Sequence, residues 1–149
     1  MSHAAKHLCY ALILAFALCA CNQPSAESNL ASPLAEQAST SNRSIEQAFS
    51  AKQSNIQVSG TGVVVKVLAD DNKGARHQKF LVKINPQQTL LFAHNIDLAP
   101  RVPLQAGDTI SFSGEYVYNP KGGVIHWTHH SPKGNHPGGW VMHNNEKYQ

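Results

Sequence analysis

The sequence predicts an all-β fold, a small barrel of five to six strands. Three observations predict it. Apolar residues alternate with period two from Ile56 onward, polar or proline-containing turns interrupt that alternation at short intervals, and the span of about ninety residues suffices for one modest core. A leader, a flexible tether and a short helix are expected to precede the barrel.

The first 21 residues read as a signal segment. Lys6 supplies a positive start, and the apolar run 8–18 is well short of the ~20 residues a bilayer-spanning helix needs. The end of this segment, Leu18-Cys19-Ala20-Cys21, resembles the bacterial lipobox, which implies lipidation of Cys21 as the mature N-terminus. Asn22 then resembles the retention pattern of outer-membrane lipoproteins, so the expected location is the outer membrane facing the periplasm, with the membrane a partner through the anchor. Cys9, Cys19 and Cys21 all fall here, leaving the remainder without a disulfide or a thiol nucleophile.

Residues 22–43 are rich in Ser, Ala, Asn, Gln and Pro, too polar to order themselves by burial, and are expected to form a tether. Residues 44–149 form the single domain. Its first element is a helix over 44–52, with Ser44 as N-cap and Ile45, Ala48 and Phe49 at helical spacing. Strands follow over 63–68, where three valines alternate with Val64, Lys66 and Leu68, and over 79–84, separated by the turn Asp70-Asp71-Asn72-Lys73-Gly74. A third strand at 89–96 puts Leu90, Phe92, His94 and Ile96 on one face. After a proline-containing crossing loop at 97–107, a fourth at 109–118 does the same with Ile110, Phe112, Gly114 and Tyr116. A fifth strand is expected at 124–130, and a last hairpin pairs 140–143 with 147–148 across Asn144-Asn145. The order resembles that of an oligonucleotide/oligosaccharide-binding barrel (OB-fold), which does not by itself fix a function.

Twelve Lys and Arg face nine Asp and Glu, a net charge of +3 with neutral histidines. Without the leader and its Lys6, eleven cations face nine acids, and protonating the seven remaining histidines would raise the net charge from +2 to +9. Acidification alone thus favours binding of an anionic polymer. Five histidines (His126, His129, His130, His136 and His143) lie within eighteen residues. Imidazole titrates near neutrality, so this density indicates ligand binding or proton transfer.

Three site readings follow. A divalent metal such as zinc would draw ligands from His126, His129, His130, His136, His94 and Asp97, with His77 also near in sequence pattern. On one strand His126 and His130 would stand about 13 Å apart, so other strands or a bend must contribute. Alternatively, an envelope hydrolase of phosphodiester bonds would use His126, His129 and His130 as acid and base, with Arg76 or Lys121 stabilising charge on a phosphate. No G-x-S-x-G, Walker loop or H-E-x-x-H accompanies them. The letters His129-His130, Asn135 and His143 resemble an H-N-H nuclease, but at too short a spacing.

Thirdly, a binding face for an anionic polymer or small ligand would use Arg76, His77, Asn95, Lys121 and Trp127, with Lys79 and Trp140 beside them. A structural envelope protein with a protein partner is the blander alternative. Against each role stands a structural one: His94 as a hydrogen-bonded core residue, Trp127 and Trp140 as packing, His143 as a solvated hairpin residue.

Arg76-His77-Gln78, then Leu91 through Arg101, then Asn119-Pro120-Lys121-Gly122-Gly123-Val124-Ile125-His126-Trp127-Thr128-His129-His130 and His136-Pro137-Gly138-Gly139-Trp140 together carry a recognisable pattern. From Val58 to Gln149 the chain resembles the bacterial domain of unknown function 3465, a family of small exported proteins. The resemblance implies no activity. It groups Arg76, His77, His94, Asn95, Asp97, His126, His129, His130 and His136 as motif positions, and it leads one to expect Asp where this chain has Ser131 and Gly where it has Asn145.

Overall fold

The structure is a computed structural model, and its description covers residues 33–149, with side chains from residue 41. The leader, Cys21 and residues 22–32 of the tether lie outside the described residues. Eight elements follow in order: α1 (Pro33–Ser50), β1 (Ile56–Val67), β2 (His77–Lys83), β3 (Thr89–Asn95), β4 (Thr109–Val117), β5 (Val124–His126), β6 (Trp140–His143) and β7 (Glu146–Tyr148).

The helix differs from expectation at both ends. It begins at Pro33, inside the stretch assigned to the tether, where proline's fixed φ and missing N–H suit a first helical turn. What holds it is tertiary. Asn42, Ile45 and Ala48 recur at helical spacing and are all buried, α1 packing against β1. The Asn42 amide donates to the carbonyls of Thr61 and Ile84 at 2.9 and 3.1 Å, and its Oδ1 accepts the Thr61 N–H at 2.9 Å. Gly60 makes the approach possible, since a Cβ there would sit 2.6 Å from Asn42 Oδ1 and 2.8 Å from Ile45 Cδ1. The helix ends at Ser50 because Lys52 takes a left-handed φ of 55°, and Gln53 N–H closes on the Ala48 carbonyl at 2.9 Å.

The strands close into a five-stranded barrel in the order β1-β2-β3-β5-β4, with β4 returning to β1. All neighbouring pairs are antiparallel except β3 with β5, which is the order and sense of the OB-fold. A bulge between Val64 and Lys66 lets one long strand turn from β4 to β2. Inside, Phe80 stacks on Phe92 and Phe92 meets Phe112 edge to face, both at 4.8 Å between centroids, with Leu90, Ile110, Tyr116 and Ile125 around them.

The edge of β4 away from β1 is shared. β5 pairs with its C-terminal part through Glu115↔His126, and β6 with its N-terminal part through Ser113↔Trp140. The chain between, residues 127–139, must therefore loop out and return to the same edge. This explains why the fifth strand stops at His126 rather than continuing to 130: Trp127 has a φ of 50°, which turns it off the ladder. The final hairpin forms across Asn144 and Asn145, whose φ values of 50° and 63° are those of a tight primed turn.

Candidate functional site

The loop 127–139 roofs a cavity of about 460 Å3 against the outer side of β2, β3 and β5. His77 and Asn95 pair at the end of the β2–β3 ladder, Ala93 is the next outward residue on β3, and His126 ends β5. Leu98, Trp127, His129, Pro132, Lys133, Asn135 and His136 complete the lining. Four histidines and one lysine thus face one space, and among the described residues no lining side chain is acidic.

Each of three imidazoles has one ring nitrogen tied down. His126 Nε2 meets Glu115 Oε1 at 2.9 Å, a contact dictated by the cross-strand register. His129 Nδ1–H donates to the His130 carbonyl at 2.7 Å, and His136 Nδ1–H to that of Pro137 at 2.8 Å. The acceptors are carbonyl oxygens, so the tautomer follows and the Nε2 of both rings is left as the unprotonated nitrogen. Trp127 stacks with both His126 and His136, with ring centroids 5.1 and 4.4 Å away and planes 29° and 20° apart, while His129 stands edge-on to His136 at 5.2 Å. Burial holds the His129 pKa below the ordinary histidine value; its hydrogen bond to the His130 carbonyl opposes this, and positive charge on His136, His130 and His77 adds to the lowering.

The structure separates the candidates. His77, Asn95, His126, Trp127, His129 and His136 come together. Trp127 is engaged in stacking with the imidazoles of His126 and His136. His94 is a core residue: fully buried, it accepts from Thr128 Oγ1 at Nδ1 (2.7 Å) and donates from Nε2 to the Pro100 carbonyl (3.0 Å), so neither nitrogen is open to a metal. Burial is also the main cause of its lowered pKa.

Asp97 is engaged by Arg76, accepting its backbone N–H and its Nε, each at 2.7 Å, and these two bonds hold the Asp97 carboxyl below the usual range. Neither residue lines the cavity, so Arg76 is not poised over a phosphate there. His130 is exposed outside it, and Lys121 lines another cavity beyond the far end of β3. Trp140 lies under Lys147, whose Nζ is 5.3 Å from the ring centroid. His143 is not solvated: it is 5 % exposed, with Nε2 3.1 Å from Asp108 Oδ2 and Nδ1 buried without a partner.

Sequence reasoning missed Lys133, Ala93, Leu98 and Pro132 of the lining, and Glu115 behind it. Lys133 had a signal, being a cation in the Pro132-Lys133-Gly134 turn within the histidine run. Glu115 had one in its outward position between Gly114 and Tyr116. Among the described residues no group of three or more His, Cys, Asp or Glu converges as a metal would require.

Fold and site together define a small OB-type barrel domain with a histidine-lined pocket on its outer face. More particularly, the chain belongs to the family described as "Protein of unknown function (DUF3465)", whose model matches residues 29–149. No curated protein and no solved structure matches it.

Proposed function

We propose that the domain binds an anionic ligand in the pocket beneath loop 127–139 and that lipidated Cys21 tethers it to the outer membrane on the periplasmic side. The carrying observation is the lining itself: His77, His126, His129, His136 and Lys133 with no carboxylate among the described lining residues. His129 is buried with no acidic partner, and an anion that supplies the missing charge gains affinity beside it; His126 is paired with Glu115 and Lys133 is exposed at the rim. His129 and His136 hold one nitrogen on a carbonyl and keep the other for the ligand, as a donor once protonated.

Titrating inorganic phosphate into the protein by calorimetry tests the pocket. Lys133→Glu and His136→Gln are each expected to weaken binding about tenfold or more, a charge-assisted hydrogen bond contributing roughly 1.5–3 kcal/mol. Unchanged affinity in both variants would refute the reading.

A zinc site is the second reading. The fixing of three imidazoles by a carboxylate or carbonyl is how metal-binding histidines are oriented. It requires a further ligand to swing in, because among the described residues no three His, Cys, Asp or Glu converge. Stoichiometric zinc in the purified protein, lost in His126→Ala/His129→Ala/His136→Ala, would favour it over the anion.

The anchor rests on Leu18-Cys19-Ala20-Cys21 and Asn22. Among the described residues no helix is long and apolar enough to cross a membrane. Radiolabelled palmitate fed to expressing cells is expected to enter the wild type and not Cys21→Ser; equal labelling would remove the anchor from the proposal.

A further inference from the structure

We infer that the histidine pocket is one end of a longer strip and that the ligand is a linear polyanion rather than a small anion. This rests on the pocket reading above and extends it along the sheet. The outward residues of β2 and β3 form cross-strand rows: His77 with Asn95, Lys79 with Ala93, Leu81 with Leu91, and Lys83 with Thr89. Their inward neighbours are buried while these positions remain partly or fully exposed, so the rows make one continuous outer surface. His77 and Asn95 of the first row and Ala93 of the second floor the histidine pocket. The third opens into a second cavity of about 360 Å3, which Leu68, Leu81, Leu91 and Lys121 help to line. Six residue steps from Asn95 to Thr89, at ~3.4 Å each, give the strip a length of about 20 Å.

Charge sets the occupant. Along the strip the ionisable side chains are His77, Lys79 and Lys83 on β2, His126 on β5 and Lys121 at the far cavity; neither β2 nor β3 places a carboxylate in any of the four rows. Two carboxylates border the strip: Asp71, bridged to His77 at the end of the first row, accepts the Lys73 N–H, and Glu115 is held by His126. A small anion would need only the histidine end. Cations repeated to the opposite end match a chain carrying repeated negative charge, for which each further contact adds affinity and salt sensitivity. The row Leu81, Leu91 and Val124 is then the apolar floor over which the chain passes.

The test compares orthophosphate with inorganic polyphosphate of graded length, titrated into the wild-type protein and into Lys83→Glu/Lys121→Glu, whose changes lie outside the histidine pocket. Affinity per chain is expected to rise at least tenfold with length until the strip is filled. The double variant should lose that rise while keeping its orthophosphate affinity. Length-independent binding would overturn the strip and leave the pocket reading standing; failure of every phosphate species to bind would overturn both. A single-headed alkyl phosphate binding as tightly as long polyphosphate would also overturn the inference, because leucines rather than lysines would then be recognising the ligand.

Discussion

Gly139→Ala is expected to lower the urea midpoint of the protein by about 1 M or more and to abolish anion binding in the pocket. A Cβ at this position would lie 2.1 Å from the Trp127 carbonyl oxygen and 2.5 Å from that of Ser113, both backbone atoms. Ser113 is fixed in β4 by its pairing with Trp140, and Trp127 is held by stacking with His126 and His136, so neither retreats cheaply. The Gly139 N–H also donates to the His129 carbonyl at 2.8 Å, the bond that closes loop 127–139 onto β6. Overpacking costs typically 1–3 kcal/mol and a lost backbone hydrogen bond about 1 more. With a urea dependence of ~1–3 kcal/mol per molar, such a loss gives a shift of the stated size. Gly138 is the control. A Cβ there meets its nearest neighbour, His130 Cα, at an ordinary 3.7 Å, so Gly138→Ala should stay within about 0.5 kcal/mol of wild type. Indistinguishable midpoints for the two variants would show that the loop is not closed as described.

The barrel was readable because one face of each long strand is apolar. Leu90, Phe92 and His94, and Ile110, Phe112, Gly114 and Tyr116, are buried as the alternation required. Asn144-Asn145 announced its hairpin for a similarly local reason, as asparagine tolerates the left-handed backbone both residues adopt. What stayed hidden depends on contacts distant in sequence. Nothing in the letters around Trp127 marks a positive φ; that turn follows from β5 and β6 sharing one edge of β4. The start of α1 at Pro33 was hidden because Ser, Ala and Gln suit a tether as well as a helix, and Asn42 decides the matter only by bonding to Thr61 and Ile84.

The histidines divide on the same principle. His94 is internal by strand alternation and was readable as such, whereas the opposite fates of the adjacent His129 and His130 depend on how the loop folds back. His143 was misread as solvated because its partner, Asp108, comes from the turn before β4.

Acid is expected to weaken the free domain and, at the same time, to strengthen its hold on an anion. His94 and His129 both have folded-state pKa values below the 6.5 of an unperturbed histidine, burial being the largest cause in each. A histidine depressed on folding stabilises the native state fully above 6.5. That contribution is lost as pH falls from 6.5 through the lowered folded value, because the unfolded chain takes up the proton first. The melting temperature of the free protein should therefore fall between pH 8 and pH 5.

A bound anion reverses the preference within the pocket. A negative ligand beside His129 offsets the electrostatic repulsion from its histidine neighbours that helps to hold its pKa down. For each coupled proton, apparent affinity rises up to about tenfold per pH unit, so the stabilisation by a fixed ligand concentration grows as pH falls. Sulfate is the probe of choice since its own charge is constant over this range, and Lys133→Glu subtracts its general salting effect. Melting curves at pH 8, 6.5 and 5 with and without millimolar sulfate should show a falling baseline and a widening sulfate increment, with the widening absent from His129→Gln/His136→Gln. An increment that is constant or shrinks on acidification would mean that these imidazoles do not hold the anion, and the pocket would then have to select its ligand by some feature other than histidine charge.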